Sequence, residues 1–184
     1  LPKNFLQVAL YLPKYAVYLW TLPLFHCNGW CFAWTIAARA GVNVCLRKFE
    51  PKSCFDIIRK EKITHYCAAP VVHAALANAP DSFKEGVQEG VKGLVAGAAP
   101  PEAVLENMEK MGFNITHVYG LTEVYGPSAV CAEQEEWDDL TVSQRAALKA
   151  RQGVRYHLQG ALDVINPETM QPVAANGKEF GELM

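Results

Sequence analysis

The chain has 184 residues, of which 51% are hydrophobic and 20% are charged, a balance that excludes a disordered protein and predicts a globular core. The formal net charge of -2 gives no general electrostatic reason to bind nucleic acid or an anionic membrane. Proline, glycine and polar residues interrupt the apolar stretch 17–45, so no stable membrane insertion is predicted. The six cysteines lack the spacing of a disulfide framework and are interpreted as reduced, mostly buried thiols.

Up to Val118 the chain alternates strand-like and helix-like segments. Pro2 and Pro13 leave room for a short helix between them. β-branched and apolar runs predict strands at residues 17–22, 42–46, 63–68, 91–95 and 114–118. Helices are predicted at about 30–40, 51–62, 70–79 and 102–111. The signals are prolines at helix starts, Gly41 as a helix stop, and amphipathic periodicity. Residues 80–90 form a polar linker in this interpretation.

This alternation indicates right-handed βαβ crossovers. The fold class expected is therefore α/β: a doubly wound, mostly parallel sheet with helices on both faces. In such sheets ligands bind outside the carboxyl ends of the strands. Three segments, which begin at Pro23, Gly97 and Gly120, each follow a predicted strand. We therefore expect them to converge on one cleft.

After the fifth strand the pattern changes. Residues 125–127 are expected to be a loop and residues 128–132 a further strand. The acidic run 133–139 is more typical of a solvated surface than of a metal site. A polar helix follows at about 142–151, and Thr141 is its predicted N-cap.

Repeated turn signals separate short strand-like runs in residues 152–184, which predicts a β meander or hairpin rather than more parallel sheet. The expected domain organisation is an α/β core in residues 1–132, an acidic loop and helical insertion in 133–153, and the start of a β-rich subdomain in 154–184.

The chemistry concentrates in the run Val118–Glu123. It combines the Tyr119 ring, the bare backbone of Gly120, the Thr122 hydroxyl and the Glu123 carboxylate. These groups would suit a ligand with a ring, a phosphate and a metal. An ordinary strand-to-loop exit with a Thr-Glu turn explains the same residues, so both interpretations stand at this point.

Three motifs together resemble the adenylate-forming superfamily of acyl-CoA synthetases, luciferases and peptide synthetase adenylation domains. They are residues 22–29 (LPLFHCNG), 97–100 (GAAP) and 119–123 (YGLTE), in this order. Residues 137–152 further resemble an insertion of the medium-chain fatty acyl-CoA and aryl-CoA ligases. The similarity extends over essentially the whole chain.

The resemblance implies that the site binds ATP or AMP, Mg²⁺ and CoA as a co-substrate. Tyr119 would stack on adenine, Thr122 would hydrogen-bond the α-phosphate, and Glu123 would bind Mg²⁺. His26 resembles the histidine that orients the substrate carboxylate and then moves aside for the CoA thiol. His26, Thr122 and Glu123 are therefore the expected catalytic residues.

The remaining expected roles follow from the same resemblance. Nucleotide binding is expected from Gly97, Ala98, Ala99, Pro100, Tyr119, Gly120 and Thr122. The acyl pocket is expected from His26, Trp30, Val71 and Gly120. Core packing explains Trp30 and Val71 equally well, and a metal site made of His26, Cys27 and Cys31 is a weaker alternative because no second Cys or His pair accompanies it.

The family's phosphate loop is expected before the first strand, and its hinge and catalytic lysine after Met184. We therefore expect the chain to be about the middle third of a two-domain enzyme and to be inactive in isolation. The whole enzyme would make acyl-adenylate from a carboxylic acid and ATP and transfer the acyl group to CoA. The alternative is a non-catalytic nucleotide- or acyl-binding fragment, or a truncated gene product. The expected compartment is the cytoplasm, and a peroxisomal address would lie beyond Met184.

Overall fold

The computed structural model describes residues 12–157 and 159–184, without the side chains of residues 27 and 28. The short helix expected between Pro2 and Pro13 lies outside the described residues. The strands are β1 (Val17–Trp20), β2 (Val42–Cys45), β3 (His65–Ala68), β4 (Lys92–Val95), β5 (Asn114–Leu121), β6 (Gly126–Val130), β7 (Val154–Arg155), β8 (Val164–Ile165) and β9 (Glu182–Leu183). The helices are α1 (Cys27–Trp30), α2 (Phe32–Ala38), α3 (Pro51–Glu61), α4 (Pro70–Ala77), α5 (Asp81–Lys84), α6 (Glu102–Lys110) and α7 (Val142–Lys149).

The described residues contain one seven-stranded sheet with the order β2-β1-β3-β4-β5-β6-β7. Strands β1 to β5 are parallel, whereas β6 and β7 are antiparallel to their neighbours. The chain leaves β1 for β2 on one side and then crosses to β3 on the other. This reversal opens a crevice beyond the carboxyl ends of β1 and β3, where doubly wound proteins bind ligands.

One face of the sheet carries the larger core. Helices α3, α4, α6 and α7 pack on it with buried apolar side chains. Buried members of this core include Leu19, Phe55, Ile58, Tyr66, Leu76, Val95, Leu105, Met108, Phe113, Ile115 and Ala146. Because successive strand residues point to opposite faces, these sheet residues alternate with the ones on the second face.

The second face is covered by α2 over the first strands. Phe32 and Ile36 of α2 pack against Tyr18, Trp20 and Cys67, and the rings of Tyr18 and Phe32 stack 5.0 Å apart. Helices therefore lie on both faces, and the doubly wound prediction is confirmed.

Beyond α2, the second face borders a cavity of about 280 Å³. The cavity is lined by residues of β3 to β6 together with Leu12, Phe32 and Tyr156. None of the site residues expected from the sequence lines it.

The prediction was wrong at the end of β5. The strand does not stop at Val118; it continues through Gly120 to Leu121 and pairs with the antiparallel β6. Residues 126 and 127, expected in a loop, belong to β6, and the strand expected at 128–132 ends at Val130. The pairing with β6 satisfies backbone groups that a loop would leave exposed, which explains the longer strand.

Smaller differences concern three connections. The expected linker 80–90 contains α5, and the helix expected at 30–40 begins at Phe32, after a break at Cys31. In the C-terminal segment, β7 joins the main sheet, while β8 and β9 form a separate antiparallel pair. The domain boundaries at 132/133 and 153/154 stay a prediction.

Among the five cysteines with described side chains, all are free thiols, and all but Cys45 are buried. Burial raises the pKa of Cys54 and Cys67 to about 12, so both stay protonated. Within residues 12–157 and 159–184, no helix is both long enough and apolar enough to span a bilayer.

Helix α7 is fixed at both ends by polar contacts. At its start, Thr141 is the N-cap that the sequence predicts, and it forms a capping box with Gln144. At its end, Lys149 lies buried and forms ion pairs with Glu109 of α6 and with Glu133. The helix is therefore attached both to its neighbour α6 and to the chain that follows β6.

We expect Thr141→Ala to lower the free energy of unfolding by about 1 kcal/mol, because the N–H of Gln144 loses its acceptor. Thr141→Ser keeps an oxygen at this position and should retain most of the stability. Urea denaturation followed by circular dichroism measures both variants. Equal midpoints for Thr141→Ala and the wild type would contradict the capping role.

His73 makes stability depend on pH. Its ring is fully buried beside the hydroxyl of Tyr66, and burial lowers the pKa of His73 to about 4. An unfolded chain binds this proton with a pKa of about 6.5, so the unfolded state holds more protons between pH 6.5 and 4. Stability should therefore be complete above about pH 6.5 and decrease by roughly 2–3 kcal/mol as the pH falls to 4.

Denaturation at pH 7 and pH 4.5 tests this titration. His73→Gln should lose less stability between the two pH values than the wild type, although His65, whose pKa burial also lowers to about 4, keeps part of the dependence. His157→Gln, at an exposed position, is the control variant. A His73→Gln variant with an undiminished pH dependence would argue against a buried neutral His73.

Candidate functional site

A cavity of about 300 Å³ lies at the carboxyl edge of the sheet. Segments after β1 and β4, together with the β5–β6 hairpin, form its walls. It is lined by His26, Trp30, Ala96, Gly97, Val118, Gly120, Leu121, Thr122, Glu123, Gly126 and Pro127. The three segments that the sequence places at strand ends therefore meet at one site, as expected from a doubly wound sheet.

The β5–β6 hairpin forms the wall that carries Thr122 and Glu123. Its register shifts between Tyr119 and Gly120. A Cβ on Gly120 would overlap the carbonyl oxygen of Gly126, well inside van der Waals contact. Gly120 is thus required first by the approach of two backbones, and not only by a ligand as the sequence interpretation assumed.

The turn of this hairpin is one turn of 3₁₀ helix, Thr122–Val124. The N–H of Tyr125 donates to the carbonyl of Thr122 at 3.0 Å and closes the turn. The side chains of Thr122 and Glu123 are exposed at the cavity. Within the described ranges, no salt bridge includes Glu123.

The opposite wall follows β1. The N–H of His26 donates to the carbonyl of Pro23, and the His26 carbonyl accepts from the N–H of Trp30. The exposed imidazole of His26 lies against the ring of Phe25, with 4.4 Å between ring centroids. Trp30 is half-buried and lines the cavity. It packs against the cluster of α2 and β1 and against a second apolar cluster of Ala96, Val118, Val130 and Tyr156.

A third wall follows β4. Gly97 has a φ of +89°, and a Cβ at this position would meet no heavy atom within 4 Å. The backbone conformation, rather than lack of space, therefore favours glycine here. Ala98 and Ala99 are exposed, whereas Pro100 is buried, and these three do not line the cavity.

Tyr119 lies on a different side of the hairpin from the cavity. Val118 and Gly120 line the cavity, and the half-buried Tyr119 between them does not. Alternation along a strand directs its ring to the other face. Val95 pairs with His117 in the β4–β5 register. Two residues further along both parallel segments, Gly97 therefore lies beside Tyr119.

Val71 does not contribute to this cavity. It lies in the first turn of α4 and is 73% exposed, whereas His73, Leu76 and Ala77 of the same helix are buried. The exposure of Val71 does not fit core packing, because α4 directs its opposite side toward the core. The acyl-pocket role of Val71 stays a prediction.

Glu123 and Thr122 supply hard oxygen donors that fit Mg²⁺. This ion is usually held by one or two carboxylates together with waters and substrate phosphates. The described residues contain no group of three or more His, Cys, Asp or Glu that could hold a metal alone. The alternative site of His26, Cys27 and Cys31 gains no support, since the thiol of Cys31 donates to the carbonyl of Tyr125; the Cys27 side chain is not described.

The sequence interpretation missed half of the hairpin side of the cavity. Val118, Leu121, Gly126 and Pro127 line it, but Val118 was assigned to the fifth strand, Gly126 and Pro127 to a loop, and Leu121 had no site role within the motif 119–123. Gly120 and Gly126 lie six residues apart on either side of a short turn. They could have predicted the β5–β6 hairpin, because glycine in a strand marks a close backbone approach.

The AMP-binding enzyme family matches residues 4–184, nearly the whole chain. The chain belongs to the AMP-binding enzyme family. Acetate/butyrate–CoA ligase AAE7, peroxisomal, from Arabidopsis thaliana is 51% identical over 92% of this AMP-binding chain and 30% of its own length. Acetate–CoA ligase CCL3 from Humulus lupulus is 49% identical with the same coverage, and the peroxisomal trans-cinnamate:CoA ligase from Petunia hybrida is 42% identical over 91% of this chain and 29% of its own length.

Solved structures show that this AMP-binding chain has the same fold. O-succinylbenzoate CoA synthetase (MenE) from Bacillus subtilis, in complex with ATP and magnesium, superposes with a TM-score of 0.71 at 19% identity, over 99% of this chain and 36% of its own. The N-terminal domain of FACL13 from Mycobacterium tuberculosis gives 0.74 at 18% identity, over 94% and 40%. The chain spans about 30% of the length of the curated relatives it matches.

We expect Gly120→Ala to destabilise the hairpin by about 2 kcal/mol, because the added methyl group overlaps the backbone of β6. Gly160→Ala is the matched control, since its Cβ would enter open space. Thermal denaturation measures both variants. A Gly120→Ala variant as stable as Gly160→Ala would contradict the close approach of the two strands.

Proposed function

We propose that the whole protein is an acyl-CoA ligase and that this chain supplies the cleft in which the carboxylic acid is activated. One observation carries the proposal: His26, Gly120, Thr122 and Glu123 line a single cavity in a chain of the AMP-binding enzyme family. The names of the relatives, which describe ligases of carboxylic acids and CoA, support the same reaction class.

In the first half-reaction, a carboxylate oxygen of the acid attacks the α-phosphorus of ATP. The bond from this phosphorus to the bridging oxygen breaks, and pyrophosphate leaves with the electron pair. Thr122 is exposed at the cavity, and its hydroxyl would donate to an α-phosphate oxygen as charge develops there. Glu123 would hold Mg²⁺, which when bound neutralises phosphate charge.

The nucleotide and the acid would occupy different sides of the hairpin. Tyr119, Ala98, Ala99 and Pro100 do not line the cavity, and Gly97, which does, lies beside Tyr119. The aromatic face of Tyr119 is a suitable platform for adenine. The cavity itself would hold the acid between Trp30 and Gly120. The hairpin turn then lies between the two ligands, where the new bond forms.

In the second half-reaction, the thiolate of CoA attacks the acyl carbonyl carbon, and AMP leaves with the bridging oxygen. His26 is exposed at the cavity, and its ring lies against the ring of Phe25. This position lets the imidazole contact the carboxylate in the first step and turn toward solvent in the second. His26 would thus orient the acid rather than bind a metal.

The proposed acid has an apolar tail. The indole of Trp30 and the side chains of Ala96, Val118 and Pro127 give the cavity mainly apolar walls. The relatives' names range from acetate and butyrate to trans-cinnamate and so support a carboxylic acid as a class rather than one acid. No nucleic acid or membrane partner is part of the proposal.

The proposed compartment is the cytoplasm or, as the names of two relatives indicate for those proteins, the peroxisome. Free cysteines are compatible with either reducing compartment.

Glu123→Gln tests the metal role in the whole protein. We expect carboxylate-dependent exchange of pyrophosphate into ATP to fall about 100-fold, because the amide cannot replace a charged ligand for Mg²⁺. Glu136→Gln, at an exposed acidic position outside the cavity, should leave the exchange unchanged. The assay uses a panel of aliphatic and aryl acids at several Mg²⁺ concentrations.

Full exchange activity in Glu123→Gln would remove the metal role. Calorimetry with an acyl-adenylate tests the alternative function: binding without any exchange activity in the wild type would favour a non-catalytic nucleotide- or acyl-binding protein.

A further inference from the structure

Two side chains before and within α2 contact the residue that follows the Thr122–Val124 turn. The indole N–H of Trp34 donates to the phenolic oxygen of Tyr125 at 2.8 Å. The thiol of Cys31 donates to the backbone carbonyl of Tyr125 at 3.1 Å. These contacts join segments that are more than 90 residues apart in the sequence, because 91 and 94 positions separate the partners.

The backbone at this junction adopts an uncommon conformation on both sides. Trp30 and Cys31 have φ values of 53° and 70°, and Tyr125 has a φ of 55°. Such left-handed conformations of non-glycine residues persist where the surrounding structure determines them. Gly126 completes the junction, since a Cβ on it would lie 2.8 Å from the Cys31 sulfur.

The contacts connect the two walls of the cavity. On one side, the N–H of Trp30 donates to the carbonyl of His26, so the junction continues directly from the histidine segment. On the other side, the N–H of Tyr125 donates to the carbonyl of Thr122, so the same residue closes the turn that bears Thr122 and Glu123. A displacement at Tyr125 would therefore move Thr122 and Glu123 relative to His26.

The turn needs such a support because its functional residues lie outside the core. Thr122 and Glu123 are exposed, and no residue of the turn is buried. By contrast, Cys31 is fully buried and gives the junction a fixed base. Chemistry that depends on orientation loses about 100-fold in rate from a misplacement of about 1 Å.

We propose that Cys31, Trp34 and Tyr125 are positioning residues that fix the Thr122–Glu123 turn against the His26 segment. We call this set the interwall clamp. The clamp acts through Thr122 and Glu123 and does not itself contact the reacting atoms. Its catalytic consequence rests on the proposed function, whereas its effect on the order of the turn does not.

Hydrogen exchange of the whole protein, followed by mass spectrometry, measures the clamp directly. The variants are Trp34→Phe, Tyr125→Phe and the double variant; each single change removes one partner of the same hydrogen bond and keeps an aromatic ring. We expect exchange in residues 122–126 to become about tenfold faster in each single variant, with no further increase in the double variant. Tyr15→Phe, at a position that is 72% exposed, is the control and should leave this segment unchanged.

The same variants are assayed for carboxylate-dependent pyrophosphate exchange. We expect kcat to fall about tenfold while KM for the acid stays within a factor of two, because the Trp30 side of the cavity is untouched. Three results would each overturn the clamp. Hydrogen exchange of residues 122–126 could be unchanged, or the effects of the two substitutions on it could multiply in the double variant. The third is faster hydrogen exchange together with an undiminished kcat. If the wild type has no carboxylate-dependent activity, the proposed function fails, and the hydrogen-exchange result alone then supports or overturns the clamp.

Discussion

The backbones of β5 and β6 approach each other at Gly120 and Gly126 more closely than any side chain would allow. This approach lets β5 continue past the end of the parallel sheet and turn back within a few residues. The turn therefore stands at the carboxyl edge, and it carries Thr122 and Glu123 to the cavity. A bulkier residue at Gly120 would change the hairpin and the site at the same time.

The order of the strands explains what surrounds this hairpin. Because β1 and β4 run parallel in one sheet, the segment after β1 reaches the same edge as the segment after β4. His26 and Gly97 therefore both lie at the hairpin, although 71 positions separate them in the sequence. The hairpin separates this apolar cavity from the side that holds Tyr119. This separation is the reason for proposing that the acid and the nucleotide bind on different sides of one cleft.

Local signals in the sequence were sufficient for much of the fold. Thr141 and Gln144 are three residues apart, so their capping box could be predicted from spacing alone. The parallel order followed from alternating periodicities, and the motifs around His26 and Tyr119 indicated the family that the comparisons established. Each of these inferences depends on residues that are close in the chain.

Contacts between distant segments were beyond such signals. The extension of β5 depends on pairing with Gly126, and the bond between Trp34 and Tyr125 joins residues 91 positions apart. The exposure of Val71 could not be predicted, because proline fixes where α4 begins, whereas packing of its later turns decides which side faces the core. The face of the hairpin on which Tyr119 lies depends on the extension of β5 beyond Val118, along which neighbouring residues alternate between the two faces.

A crystal structure of the whole protein with a non-hydrolysable acyl-adenylate is the most direct test of the proposed cleft. We expect the adenine ring against Tyr119, the phosphate within hydrogen-bond distance of the Thr122 hydroxyl, and the acyl chain in the cavity between Trp30 and Gly120. A ligand seated instead in the second cavity, against His65, Leu94 and Thr116 on the face of the sheet, would contradict it.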